Sequence, residues 1–597
     1  MLPGMHTAGL KALLLVSAEV RAPSGVRSRA EKVSYPEGSK DLDMTDKRRL
    51  ATALVAALVG LVLPIAASGT QASLKPVQAS NSYVAYDVGA DGGEPSIGVN
   101  FKTNAAMAQY GLTTLKVTWD DTRSPPKPAI TMVTPTTSIE SLDAILSVDA
   151  RTGRTFVSQL MLACSLMSFS DDDGASWTPS EGCGTAVLLD HQAVGVGPAH
   201  APLTNPIYPG VVYYCAQNGY SGACASSLDG GLTFGNAVPA YNTPVNDVAD
   251  PDPTFAAEGG ACSALHGHMK IGPDGTAYLA LKGCGGLPTA ENLTNTEYWG
   301  GEPSLSVSTD NGLTYTVRRV PGGQNQDESD PSVSIGSGDK VPGGRIYFGW
   351  EDGTNPSATE YGTTSVPKIA TSTDQGKTWS TPIDVSAGLG IHNVQFPEVV
   401  AGDDDRAAFA WLGTDAIGDD QHNGFNGPDG KPAVWHMYVS TTYDAGKTWN
   451  TVDATPKDPV QRGCVDLQGT SNKTVTDDNI CSQRNMLDFN DITVDKNGRV
   501  LVAYADGCIG KCIHDKKVNS TDNRGYILRQ TTGRGLFAAY DAAAPTTLGK
   551  KSNGATHVRA KKVKRPLAAT GVPSWPVAAG LLILGCAVGL RRWLGAR

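Results

Sequence analysis

The chain has 597 residues and a formal net charge of −10, with 49 Lys plus Arg against 59 Asp plus Glu. That balance argues against nucleic acid as a partner. With 68 Gly, 37 Pro and no long helical periodicity between residues 80 and 540, the composition excludes a helical bundle and points to an all-β chain of short strands and frequent turns.

In chain order, residues 1–43 read as an extension upstream of the true start at Met44, or as disordered chain. Residues 44–72 read as a secretory signal: Lys47, Arg48 and Arg49 form a basic region, Leu50 to Ala67 an apolar one, and small residues follow up to a cleavage point after Ala72. The alternative for this segment is a signal anchor.

From about residue 80 to 541 a six-residue pattern recurs. Its copies are Glu94–Val99, Asp143–Val148, His191–Val196, His266–Ile271, Asp330–Ile335, Phe396–Ala401 and Phe489–Val494. Positions four and six are apolar in all seven, the period of a strand with one buried face.

A second repeat follows five of these hexads, Ser/Thr-x-Asp-x-Gly-x-Ser/Thr-aromatic. Its Asp residues are Asp172, Asp229, Asp310, Asp374 and Asp444, and its aromatics are Trp177, Phe234, Tyr315, Trp379 and Trp449. Each copy lies between two apolar runs and predicts a hairpin turn: the Asp bonds backbone N–H groups and the Gly takes a positive φ. The pattern resembles the Asp box, or BNR repeat, of the sialidase-like superfamily. The resemblance implies a β-propeller. Seven hexads with five boxes favour seven four-stranded blades, the first and last without a box, at roughly 65 residues each; six blades remain open if one hexad is a decoy.

Residues 542–566 are rich in Ala, Pro, Thr and Lys and read as a basic, flexible tether. Residues 567–597 follow. Leu567, Ala569, Thr570 and Gly571 of Leu-Ala-Ala-Thr-Gly precede an apolar stretch from Val572 to Leu590, long enough for a transmembrane helix, and then Arg591 and Arg592. This resembles a sortase sorting signal of the LAxTG kind, related to LPxTG. The resemblance implies cleavage after Thr570 and attachment to peptidoglycan. The protein would then be extracellular, on the cell wall or membrane of a Gram-positive, actinobacterial-type cell, with sortase and peptidoglycan as partners.

Ten of the 11 cysteines lie in the repeat region and one, Cys586, in the apolar stretch. An even count outside the cytoplasm implies disulfides. Nearest-neighbour pairing gives Cys164–Cys183, Cys215–Cys224, Cys262–Cys284, Cys464–Cys481 and Cys508–Cys512; sequence alone leaves the connectivity open. No Cys/His zinc spacing occurs.

In a propeller the boxes turn at one face and the hexads begin at the other. The chemistry is therefore expected at the hexad starts: Glu94, Asp143, His191, His266 and Asp330, with His268, Glu398 and Asp491 two positions on. Such a ring of acids and imidazoles could do acid–base work, hold a cation, or bond neighbouring backbone. The loops 284–300, 351–368 and 412–434 fall on the same face. The last carries Asp415, Asp419, Asp420, His422 and Asp429, an oxygen-rich set that could take Ca²⁺; no cofactor is certain. Trp299, Tyr361, Phe425 and Trp435 are candidate sugar-stacking or packing rings.

The resemblance to sialidases implies three arginines that clamp a carboxylate. No arginine lies between residues 73 and 122, where the first is due. Arg151, Arg154, Arg345, Arg406 and Arg499 fall on the box face; Arg462 and Arg484 could reach the other, but both belong to one insertion. The sequence therefore favours a glycan- or protein-binding surface module. The alternative is a glycoside hydrolase of the sialidase-like superfamily, an exo-α-sialidase or a related glycosidase, acting at the channel mouth.

Overall fold

A computed structural model of the chain describes residues 81–139, 144–161, 164–182, 190–203, 206–217, 221–242, 262, 265–284, 302–322, 329–353, 364–418, 420, 425–465, 467, 484–541 and 556–559. The signal segment, the sorting motif, Asp143, Asp419, His422, Trp299, Tyr361, Cys183 and Cys481 lie outside these residues.

Seven separate antiparallel sheets follow one another along the chain. Their first strands are Ser96–Asn100, Ala144–Val148, Asp190–Gly197, His266–Ile271, Ser332–Ile335, Asn393–Ala401 and Asp491–Val494, so every hexad supplies an inner strand. This settles the count at seven blades.

The second strands have both faces covered. Ala105–Tyr110, Val211–Gln217 and Val500–Asp506 are buried along their whole length. Sheets that pack face to face leave these strands no wet side, so their sequences read as continuous apolar runs and not as an alternation. Each core lies between neighbouring blades. Phe348 and Trp350 of blade five, for example, pack with Tyr278 and Leu305 of blade four. Some outermost strands, such as Lys127–Met132, are largely exposed.

Blade seven is built from both ends of the repeat region. Its strands Asp491–Val494, Val500–Asp506 and Arg524–Thr532 come from the C-terminal side, and the next strand, Ser82–Asp91, comes from the start. The short strand Thr556–Arg559, from the segment expected to be a tether, adds to Ser82–Asp91 in parallel. This closure explains the absent seventh box: no hairpin joins the third and fourth strands of that blade. In blade one the same connection is Asp120–Lys127, where the Thr122 hydroxyl and N–H donate to the Asp120 carboxylate instead.

All five boxes fold alike. The leading Ser or Thr hydroxyl donates to the Asp Oδ1 at 2.7–2.9 Å. The Ser or Thr after the Gly donates its N–H to Oδ1 at 2.8–2.9 Å and its hydroxyl to Oδ2 at 2.6–2.7 Å. The Gly φ values of 82–90° require glycine in these turns. Box turns sit beside first-to-second-strand turns, as where Asn100 Nδ2 donates to Asp173 Oδ1 at 2.7 Å. Three disulfides match the expected pairs: Cys215–Cys224, Cys262–Cys284 and Cys508–Cys512.

Asp310→Ala should destabilise the chain by about 1–3 kcal/mol in chemical denaturation, because it removes the acceptor for several turn hydrogen bonds. Burial pushes the Asp310 carboxyl up, but bonds from Thr314, Ser308 and Leu313 outweigh it and hold the group below the ordinary aspartate range. A lowered folded value contributes stability above the unfolded value of about 4, and that stability is lost as pH falls through the folded value. Stability measured at pH 7 and pH 3 should therefore fall more for the parent chain than for Asp310→Asn.

Candidate functional site

The inner strands carry their odd-numbered hexad positions to the central channel, and the candidate residues meet there at two levels. At the hexad starts, His191 Nε2 lies 2.7 Å from Asp330 Oδ2, joining blades three and five. The His266 ring stands edge-on to His191 at 5.3 Å between centroids. Burial pushes the Asp330 carboxyl up, but His191 beside it more than offsets this, so the acid is held below its ordinary range. Glu94 begins blade one with φ 48°, its N–H donating to the Met486 carbonyl. His191 and Phe396 share this left-handed backbone at the same hexad position.

Two positions further in, His268 of blade four, Glu398 of blade six and Asp491 of blade seven converge, their ligating atoms all within 4.8 Å of one another. His268 Nδ1 lies 3.7 Å from Glu398 Oε1 and 3.8 Å from Asp491 Oδ1. The Phe489 ring packs edge-to-face against both His191, at 6.0 Å, and His268, at 4.7 Å.

Each carboxylate has one oxygen engaged in holding blades together. Glu398 Oε2 accepts from the Ser332 hydroxyl at 2.8 Å, and Asp491 Oδ2 accepts from the Ile97 N–H at 2.8 Å. The Ser332 hydroxyl itself accepts from the Val399 N–H, so Asp491 repeats between blades seven and one what Ser332 does between five and six.

Electrostatics follow from burial. Desolvation and the nearby Asp491 charge push the Glu398 carboxyl well above the ordinary glutamate range. Asp491 is also raised by burial, against the pull of Lys270, whose Nζ is 3.9 Å from Oδ1. Burial, with Lys270, His191 and His266 nearby, holds His268 well below the usual histidine value, so its imidazole is neutral.

Sequence reading placed these groups on a rim; the structure buries them. The oxygens of Glu398 and Asp491 lie within 4.8 Å of one another, inside the about 5–5.5 Å of retaining glycosidases, and both side chains are buried, so no sugar ring reaches a pair so enclosed. A cavity of about 240 Å³ runs along the inner strands and touches His268, Lys270 and Asp491. Lys270, at hexad position five, was missed although period two puts it on the channel side with His268.

A larger cleft, about 700 Å³, lies at the edge of blade six on the hexad-start face. Its walls come from Leu389–Ile391, the loop around Pro428 and Pro432, the segment from Asp453 to Arg462, and Ile513 with Lys516. Tyr438 lies on its floor, its ring stacked on Trp411 at 4.5 Å. His436 Nδ1 lies 2.7 Å from the Thr455 carbonyl, which fixes that nitrogen as the protonated one. Burial pushes the Asp453 carboxyl up. No sequence signal marked Tyr438, His436 or Asp453, because five separate segments make the cleft.

Of the aspartates expected to take Ca²⁺, Asp429 pairs with Lys431 and Asp420 accepts from Gln395 Nε2, while Asp415 is exposed. They assemble no cation cage among the described residues. Phe425 and Trp435 are core residues, packed on each other at 5.8 Å, and offer no stacking surface.

The arginines are committed elsewhere. Arg462 Nε donates to the Cys512 carbonyl, and Arg484 pairs with Asp488. On the box face Arg151, Arg154, Arg406 and Arg499 pair with Asp149, Asp171, Asp541 and Asp121, and Arg345 Nε donates to the Asp404 carbonyl. No three-arginine clamp forms among the described residues.

No family model and no curated protein matches the chain. Several solved structures are similar to it. They include the α-L-arabinanase of Penicillium chrysogenum complexed with arabinobiose, at 12% identity over 56% of this chain and 94% of that one, TM-score 0.33. The xyloglucanase of Xanthomonas campestris has 12% identity over 71% and 53%, TM-score 0.36. The intramolecular trans-sialidase of Ruminococcus gnavus has 11% identity over 76% and 95%, TM-score 0.30. The chain thus spans about half the length of the xyloglucanase. No residue role is carried across from these proteins.

His191→Ala should destabilise the fold by about 3–5 kcal/mol, because it strands the buried Asp330 charge. The double change His191→Phe with Asp330→Leu should cost less than the single one in the same denaturation assay; an equal or larger loss would show that the pair is not what the site depends on.

Proposed function

We propose that this chain is an exported, wall-anchored propeller that binds a neutral glycan in the blade-six cleft and does not hydrolyse it in the channel. The observation that carries the reading is the cleft. Its volume of about 700 Å³ lies within the usual range for ligand sites. Carboxylates, lysines and an imidazole are interspersed along its walls, and sugar hydroxyls both donate and accept. Tyr438 adds an aromatic surface, and Pro428, Pro432, Pro456 and Pro459 stiffen the walls.

The alternative, glycoside hydrolysis by Glu398 and Asp491, is suggested by their pairing and opposed by their burial. A sialoside is a poor substrate on charge grounds. Its carboxylate needs fixed cationic donors once desolvated, and the 13 arginines between residues 81 and 540 supply no such clamp in the described structure.

The mature chain should retain neutral oligosaccharides on a glycan array, and Tyr438→Ala should weaken binding at least tenfold, about 1.4 kcal/mol. Binding unchanged in Tyr438→Ala would place the ligand elsewhere. A fluorogenic sialoside should show no turnover typical of a sialidase. Robust turnover lost on changing Arg462 or Arg484 would restore that assignment.

Export and anchoring rest on the basic-apolar segment at 44–72 and the Leu567–Gly571 motif. Thr570→Ala should leave the protein extractable from cell walls by boiling detergent, whereas the parent chain should stay covalently bound. Full extraction of the parent would remove sorting from the account.

A further inference from the structure

We propose that His268, Glu398 and Asp491 form a binding site for one divalent cation of the Zn²⁺ or Mn²⁺ type, which ties blades four, six and seven together inside the channel. This does not depend on the glycan reading, because the blade-six cleft shares none of these residues.

Three observations carry the inference. First, the His268 residue is 7% exposed, and both of its ring nitrogens are buried without a hydrogen-bond partner. Buried polar atoms of native proteins are almost always satisfied by protein, water or an ion.

Second, the spacing suits a shared ion and not a hydrogen bond. Nδ1 stands 3.7 Å and 3.8 Å from one oxygen of each carboxylate, beyond hydrogen-bond reach. Two ligands at about 2.1 Å from a tetrahedral ion lie about 3.4 Å apart. The two nitrogen–oxygen distances exceed this by only a few tenths of an ångström, and all three ligand atoms lie within 4.8 Å of one another. The ligating oxygens are Glu398 Oε1 and Asp491 Oδ1, the latter also accepting from the Ile492 N–H at 2.8 Å with one lone pair to spare; the other oxygen of each group is held by Ser332 or by the Ile97 N–H, which orients the carboxylates inward.

Third, the charge is unbalanced without a cation. Two carboxylates face each other across one ammonium, that of Lys270, which sits 3.9 Å from Asp491 and is partly exposed along the channel. A divalent ion would balance the two carboxylates and give the unpartnered imidazole a ligand to hold. One nitrogen with two carboxylates suits the first-row transition series or zinc better than Ca²⁺, which takes oxygen ligands. The channel cavity that touches His268 and Asp491 gives the ion a route in.

The test uses the mature chain, stripped with chelator and dialysed, then melted with ZnCl₂, MnCl₂ or CaCl₂ and titrated by calorimetry. Zn²⁺ or Mn²⁺ should bind at one ion per chain and raise Tm, since a ligand bound only by the folded state stabilises it in proportion to the logarithm of its concentration over Kd. CaCl₂ should do less. Glu398→Gln and His268→Ala should each abolish the shift. Metal-free Glu398→Gln should melt at or above the metal-free parent, since it removes a strained buried acid; it serves as the control if His268→Ala does not fold. The proposal is overturned if no ion shifts Tm, if Ca²⁺ alone does, or if Glu398→Gln keeps the shift of the parent.

Discussion

Closure of the ring is the constraint on which everything else rests. The strand Ser82–Asp91 pairs along Arg524–Thr532, and this pairing brings residues more than 400 positions apart in sequence into one sheet. Across the same junction the Tyr110 hydroxyl donates to the Tyr526 carbonyl at 2.6 Å, and Arg524 pairs with Asp87 and Asp91. Without closure blade seven would lack an outer strand, blade one would expose the face it lays against blade seven, and Asp491 would lose its Ile97 partner.

Once seven sheets stand around an axis, the channel is narrow and its lining is set by period two. Odd hexad positions meet at the centre whatever their chemistry, so an acid there is buried whether or not it acts. Most blades meet the constraint with small or apolar groups: Ser96, Ile145, Ala193 and Ser332 occupy position three in blades one, two, three and five. Blades four, six and seven place His268, Glu398 and Asp491 there instead. Concentrating titratable groups at such depth costs stability unless something compensates them, so these three residues are the departure from the repeat that calls for a chemical explanation.

The sequence made the repeat legible because its signals are local. A box of eight residues contains nearly all its own hydrogen bonds, and a hexad carries its own alternation; together they place the blades and the two faces before any contact is known. The count of seven was left open because the box is missing where the chain ends meet, a consequence of closure that no local pattern displays. The site was legible only as a set of names. His191 and Asp330 form an ion pair 139 residues apart, and nothing near either predicts the other. Burial was misread because a hexad start looks like a loop end in sequence, yet neighbouring blades and Phe489 cover it. Phe425 and Trp435 lie in or beside a polar loop, where sequence leaves stacking and packing equally open, and they fill the core beneath it. The blade-six cleft left no trace, being assembled from segments that span more than 120 residues.

On the proposed reading the chain holds itself together in the channel and meets a ligand in the cleft. Hydrogen–deuterium exchange of the mature chain, with and without a retained oligosaccharide, addresses that separation directly. The account predicts slowed exchange in the segments 389–391, 427–438 and 453–462, with the inner strands His266–Ile271 and Asp491–Val494 unchanged. Slowed exchange confined to those inner strands would put the ligand in the channel and contradict it.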